Sequence, residues 1–301
     1  MNELILTGWR GQNPLHVLAS FGVLAQLEDA GVPAKLGWRP GLWEPVVACQ
    51  LEGADALAEC LAAGLTRWRR GGDLAPTLRL GREKAADAPE IRIPATEVRE
   101  LLQNAGGPAL ELLCGFFSET RLHSDGERVQ ATSFHHLAGR MQFLKIARNL
   151  AKTLDAATFA ESFESDLARD VSNSEFLWDA VEGATHAYRA VAPTAAPNRV
   201  DPAANWCAMQ GLRLLPCVPR IGDQRVAGAV PRPQRKKSWT WPLWSGLLDR
   251  PTVQSLMASF DPQRPKAARA RGVVGFLRAR VVSAGKNQGF TPPQWLAETL
   301  S

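Results

Sequence analysis

Gly8 and Gly11 stand between a short apolar run and Asn13-Pro14 in the stretch ELILTGWRGQNPLHVLASFGVLAQLEDAG. A strand, a glycine loop and a helix N-terminus can together hold an anion. The first N–H groups of a helix lack intrahelical partners, and the positive end of the helix dipole lies there. This loop is not a Walker A loop, because no Lys-Ser/Thr pair follows its second glycine, and it is not GxGxxG. Arg10 is its one cation and the residue there to test for ligand contact. A nucleotide- or phosphate-binding enzyme using Gly8–Pro14 is therefore one reading. The plainer reading, that both glycines shape the backbone ahead of a buried helix, carries more weight.

Cationic chemistry is spread along the chain in four segments. Arg67, Arg69 and Arg70 lie in RWRRGG; Arg140, Lys145, Arg148 and Lys152 lie in HHLAGRMQFLKIARNLAKTL; Arg235, Lys236 and Lys237 end PRPQRKK; and Arg278 and Arg280 close the stretch 264–280. These cations and Arg10 are the candidate nucleic-acid-binding residues. On a helical wheel, Phe143, Ile146, Ala147, Leu150 and Leu154 share one face of the second segment, and its four cations share an adjoining one. Such a helix packs on a core and offers charge to a phosphate backbone. A merely solvated basic face is the commoner outcome for a stripe of this kind. Trp68 and Trp239 accompany two of the segments, and Arg beside Trp can grip a phosphate while the ring stacks on a base. Core packing is the more frequent fate of any one Trp.

Catalytic and metal chemistry find little support. His135-His136 are adjacent, and neighbours on a helix point about 100° apart, so both rarely bind one metal. His123 is near in sequence, and His16 and His186 are isolated. Asp166 and Asp170, with Glu161 and Glu164 nearby, read as an acidic helix rather than a two-metal site. HExxH, Cys/His ligand spacing and GxSxG are all missing from the sequence. The expectation is a protein with no catalytic residue, no metal and no cofactor.

The elements that must position these residues follow from turn and capping chemistry. Leu4–Thr7 reads as a strand. Asn13 caps the next helix with Pro14 at its first position, where a missing N–H costs nothing. Leu15, Leu18, Phe21, Val23, Leu24 and Leu27 cover nearly every face, so that helix is expected to be buried until Gly31 and Pro33 stop it. Lys35–Arg39 and Trp43–Gln50 read as strands joined by Pro40-Gly41. Helices are expected from Ala54 to about Trp68, over Ala95–Gln103 and over Pro108–Phe117, with a hairpin over Arg121–Thr132 around Ser124-Asp125-Gly126. Asp201-Pro202 opens a helical run, PAANWCAMQGLRLL. Strands follow at Arg225–Val230, Ser238–Trp244 and Val273–Val282, with short helices at Thr252–Ser259 and within Phe290–Leu300. The fold class is α+β: mixed small sheets, several packed helices and an N-terminal β-α-β-β unit. The Pro/Ala-rich stretch 192–202 is the linker candidate between regions 1–191 and 203–301, with one continuous domain as the alternative.

The 301 residues are 45% hydrophobic and 22% charged, enough for a substantial core. The net charge of +5 is mild and fits nucleic-acid contact without establishing it. Five cysteines occur without a CxxC pair, the start MNELILTGW lacks a signal-peptide pattern, and no run reaches the ~18 apolar residues of a membrane span. Free thiols in a reducing cytoplasm, and no membrane, are the expectation.

LTGWRGQNPLHVLASFGVLAQL followed by KLGWRPGLWEPVV resembles the N-terminal pattern of CRISPR-associated proteins of subtype I-G (formerly I-U), both large-subunit-like and small accessory ones. There a strand leads to an "NP" helix ending in "GVL", and then to a Trp-containing strand. SFHHLAGRMQFLKIARNL resembles that family's "tWAGRQ" helix, with His136-Leu137 where the pattern has Thr-Trp. DPAANWCAMQGLRLLPCVPR and SWTWPLWSGLL resemble its C-terminal helix and the following "Y-x-LW" strand. The matching motif positions are Asn13 and Pro14, and Ala138, Gly139 and Arg140. The resemblance implies a non-catalytic subunit of a crRNA-guided antiviral surveillance complex. Its partners would be other effector subunits and crRNA or target DNA, contacted at PAM-proximal duplex or displaced strand. The chain is short for a full large subunit, so a reduced or accessory role, or a purely structural assembly role, stands beside it.

Overall fold

The computed structural model describes residues 1–69, 94–117, 122, 126–129, 134, 143–165, 169–170, 176–180, 199–220, 223–226, 238–284 and 287–296. Strand β1 (Asn2–Ile5), helix α1 (Pro14–Asp29) and strands β2 (Lys35–Arg39) and β3 (Glu44–Cys49) form the expected N-terminal β-α-β-β unit. β3 lies antiparallel between β1 and β2, pairing Ile5 with Val46 and Leu36 with Val47. β9 (Leu248–Asp249) completes the sheet in the order β1-β3-β2-β9. β1 lies two residues earlier than the expected Leu4–Thr7. Leu6 leaves the strand, donates its N–H to Pro45 and is fully buried, and Trp9 N–H returns to the Leu6 carbonyl in a turn.

α1 begins as expected: Asn13 Oδ1 accepts from Leu15 N at 3.0 Å, with Pro14 in the first turn. Thirteen of its sixteen residues are buried, as an all-round apolar sequence requires. Gly31, at φ +71°, takes the left-handed conformation just past its end. Its principal partner comes from far along the chain, beyond the linker candidate. This helix (Pro202–Gly211), capped by Asp201 through Ala204 N at 2.8 Å, is buried at every position. The two backbones nearly touch. A Cβ on Gly22 would fall 1.7 Å from the Cys207 carbonyl oxygen, and one on Gly211 would fall 2.0 Å from that of Leu18. Only glycine permits this approach.

Other helices surround the pair. They are α2 (Ala54–Arg69), α3 (Ala95–Asn104), α4 (Gly107–Phe116), α5 (Phe143–Thr153) and α6 (Ala156–Glu164). The helix on α1 is then α7, and it continues as a 3-10 turn over Leu212–Leu214. The two-residue strands β4 (Arg169–Asp170) and β5 (Arg199–Val200) pair with each other, as do β6 (Cys217–Arg220) and β7 (Asp223–Val226). β8 (Ser238–Trp244), β10 (Val273–Ala284), β11 (Asn287–Phe290) and β12 (Gln294–Trp295) make a second antiparallel sheet centred on β10. Helices α8 (Arg250–Ser259) and α9 (Pro265–Arg269) lie between β9 and β10 in the chain.

Several expectations are corrected. The acidic helix is divided: Glu161 and Glu164 end α6, whereas Asp170 stands on β4. The hairpin over 121–132 is represented by the antiparallel bridge between Leu122 and Val129, and Arg128 bridges outside it to Pro94. β7 starts two residues ahead of the expected Arg225–Val230 and includes Arg225 and Val226, with 227–230 outside the described residues. Phe290 ends β11, and β12 holds Gln294–Trp295, with Pro292-Pro293 between them, while residues 297–301, which include the end of the expected terminal helix, lie outside the described residues. Residues 135–142 of the basic helix lie outside the described residues. Among the described residues no helix is long and apolar enough to cross a membrane. Cys49, Cys60, Cys114 and Cys207 are free thiols, and burial pushes the Cys207 thiol far above its usual value.

Candidate nucleic-acid interface

The Gly8–Asn13 loop spends its N–H groups inside the protein. Gly8 N donates to Phe163 O at 2.8 Å, Gly11 N to Trp43 O at 2.7 Å and Asn13 N to Arg10 O at 3.0 Å. Arg10 N donates to His16 Nδ1 at 3.0 Å. Both glycines are there for close packing. A Cβ on Gly8 would lie 2.3 Å from Ser162 O, and one on Gly11 would lie 2.9 Å from the Trp38 ring. Arg10 turns its guanidinium onto the carbonyls of Thr7 and Trp9 and toward Glu44, 3.7 Å away. Glu44 is buried and also paired with Arg39, so Arg10 holds the loop together. The loop has the form of a tight passage into α1 and not of an anion cradle.

The expected base-stacking rings are also interior. Trp68 is 7% exposed and meets Trp206 edge-on at 5.1 Å. Trp239 is 2% exposed, between Phe134 at 5.3 Å and Trp241 at 4.7 Å. Eight of the ten tryptophans are buried, while Trp43 and Trp295 are half-buried against each other at 5.8 Å. A ring locked in this way has no face left for a base, so the stacking role falls and the packing role stands.

Two basic segments distant in sequence meet where α2 ends. Arg69 donates Nε to Ala151 O at 2.6 Å and a terminal nitrogen to Leu154 O, closing the carbonyl end of α5. A guanidinium suits that end because unpaired carbonyls and the negative dipole pole lie there. Arg67 is exposed and donates to Asp29 O at 3.1 Å, Lys152 is exposed on the last turn of α5, and Arg148 is half-buried one turn earlier. Lys145 lies on α5 as expected.

A second meeting point is the sheet. The register sets Arg278 opposite Thr240 and Arg280 opposite Ser238. Arg278 Nε donates to Thr240 Oγ1 at 3.2 Å and is half-buried, whereas Arg280 is exposed. The basic residues Arg235, Lys236 and Lys237 run directly into Ser238 in the sequence. These three, with Arg70, Arg140, Ala138 and Gly139, lie outside the described residues, as do His123, His135, His136 and His186. Among the described residues no group of His, Cys, Asp or Glu could hold a metal ion.

Sequence reading missed the charged cluster at the far end of α1. Arg213 is 2% exposed and binds Asp29 at 2.6 and 2.8 Å and Glu111 at 2.9 and 2.7 Å. Arg250 reaches Glu28 and Glu111, at 2.5 and 2.6 Å. Partial burial would raise the Glu111 carboxyl, but the two guanidiniums outweigh it and hold it below its usual value. Burial likewise opposes the charge on Arg213, and Asp29 and Glu111 overcome it, so its proton is held more tightly than usual. The only hint in the sequence is an arginine inside an apolar run, LRLL.

No protein-family model matches the chain, and no curated protein matches it either.

Proposed function

We propose that the protein is a non-catalytic, nucleic-acid-binding subunit of a crRNA-guided surveillance complex, gripping crRNA or target DNA through cations gathered from separate parts of the chain. The observation that carries this reading is the meeting of segments at two junctions. Arg69 at the end of α2 binds the end of α5, which carries Lys152, while the exposed Arg67 lies two residues before Arg69; Arg278 and Arg280 stand beside the strand into which Arg235–Lys237 lead. Exposed cations brought together by a rigid core suit a repeating phosphate charge. The motif order around Asn13-Pro14 and Ala138–Arg140 favours the surveillance-complex setting.

The test is binding of the full chain to labelled 30-base-pair DNA and to RNA over a salt series. Two to four phosphate contacts give a log–log salt slope of roughly −2 to −4 on duplex DNA. Arg67→Glu with Lys152→Glu and Arg280→Glu abolishes binding while the melting temperature holds. An isotherm unchanged between low and moderate salt overturns the reading. The nucleotide-enzyme alternative loses its support with the engaged amides of the Gly8–Asn13 loop. A melting temperature raised by any nucleotide would restore it.

A further inference from the structure

We infer that the outer face of β10 and the adjoining α9 form a ledge for the backbone of double-stranded nucleic acid, one that reads no base and stacks on none. This deepens the binding reading above and rests on it.

Alternate residues of a strand face opposite ways, and β10 separates them by chemistry. Leu277 and Ala279 point inward and are buried, opposite Trp241 and Trp239 on β8, with Trp295 of β12 across from Leu277. Phe276, Arg278, Arg280 and Val282 alternate with these onto the other face, where Phe276 is itself buried. Phe260 closes one end of that face by stacking on Phe276 at 5.5 Å, and α9 packs on β10 with Ala268 buried. Further along the face Thr240 of β8 is buried beneath a half-buried Arg278, and Arg280 and Val282 at its far end are exposed.

The stretch of sequence that builds this ledge carries charge of one sign. Arg264, Lys266, Arg269, Arg271, Arg278 and Arg280 fall within seventeen residues, and no carboxylate side chain occurs from 262 to 297. The acid nearest in sequence, Asp261, sits 3.7 Å from Arg264. Arg271 donates to Ser259 Oγ at 2.8 Å, a neutral partner that fixes its position. Lys266, Arg269, Arg271 and Arg280 are exposed. Five of the six cations are arginines, whose planar forks suit phosphate oxygens.

Single-strand binders place aromatic rings in the groove so that bases can stack on them. Here the sheet turns its rings the other way. Trp239 and Trp241 belong to the buried face, Trp295 lies against Trp43, and Phe276 is covered by Phe260. Among the described residues the one large apolar side chain exposed on the outer face is aliphatic, Val282. A surface of arginines without rings grips a backbone whose phosphates are already spaced by base pairing. An acidic protein partner would ordinarily need an aromatic anchor that this face lacks.

The experiment compares a random-sequence 24-base-pair DNA duplex with oligo-dT of equal length on the full chain at 100 mM salt. Two variants are included, Lys266→Glu/Arg280→Glu and Arg67→Glu/Lys152→Glu. The ledge variant is expected to lose about tenfold or more in duplex affinity, to shift the salt slope toward zero by about two, and to melt as the parent does. The duplex is expected to bind at least as tightly as oligo-dT. Tighter binding of oligo-dT, or a ledge variant that binds duplex unchanged while the other variant fails, overturns the ledge and leaves the broader reading standing. Binding of neither nucleic acid overturns both.

Discussion

Arg10 and Arg280 carry the same guanidinium and meet opposite surroundings. Arg10 lies on the carbonyls of Thr7 and Trp9 beside a buried carboxylate, whereas Arg280 stands exposed on a strand with no acidic residue from 262 to 297. Both belong to segments that looked able to bind phosphate. A cation contributes to an outside ligand only if the fold has not already supplied its counter-charge, because releasing it from an internal partner costs what that partnership stabilised. The loop around Arg10 is therefore architecture, and the ledge around Arg280 is surface.

That contrast can be broken by asking which cations the fold depends on. The largest effect is expected from Arg213→Met, which takes the guanidinium from Asp29 and leaves Glu111 with Arg250 alone. Removing one partner of a buried ion pair costs about 3–5 kcal/mol, read as a lowered urea midpoint at neutral pH. Next is Gly8→Ala, whose added methyl meets the Ser162 carbonyl at 2.3 Å. Overpacking of this kind costs about 1–3 kcal/mol, and a loop that tolerated the methyl would reopen the case for a flexible ligand loop.

Asn13→Ala removes the cap on α1 and the 2.8 Å bond to Asp179, a loss of about 1–2 kcal/mol by thermal or urea unfolding. The acid limb sharpens the contrast further. Because the folded Glu111 carboxyl lies below its ordinary value, its contribution is fully present above the unfolded carboxyl range of about pH 4.3. It is lost as pH falls through the lower folded value. Glu111→Gln is expected to flatten that part of the stability–pH curve, and an unchanged acid limb would show that the cluster does not couple to folding. The smallest effect on stability belongs to Arg280→Glu, within about 0.5 kcal/mol. A large loss there would put Arg280 in the same structural class as Arg10.

Much of the frame was legible in advance, and the legible parts share a cause. Asn13, Pro14, Gly31, Asp201 and Pro202 act within a few residues of themselves, so helix ends at both sites stand where capping chemistry places them. The solid apolar pattern of α1 announced a helix buried on all sides. The misreadings also share a cause. Leu4–Thr7 looked like a strand to its end, but the Pro45 carbonyl and the core claimed Leu6. Trp68 and Trp239 stood beside arginines in the sequence, yet Trp206 and Phe134, remote in sequence, enclosed them.

By itself the sequence determined the α+β class, the caps and turns, the near-total burial of α1 and the charge of each segment, because these depend on residue type and short-range spacing. Only the tertiary structure decided which charges remain available. Arg213 finds Asp29 across 184 residues and Glu111 across 102, and Arg69 finds the end of α5 across 82. The Arg280 side chain projects from the sheet where no acidic residue follows before 298. Pairing between groups so far apart is set by how the backbone packs, above all by Gly22 and Gly211 letting α1 and α7 touch, and no local pattern encodes that.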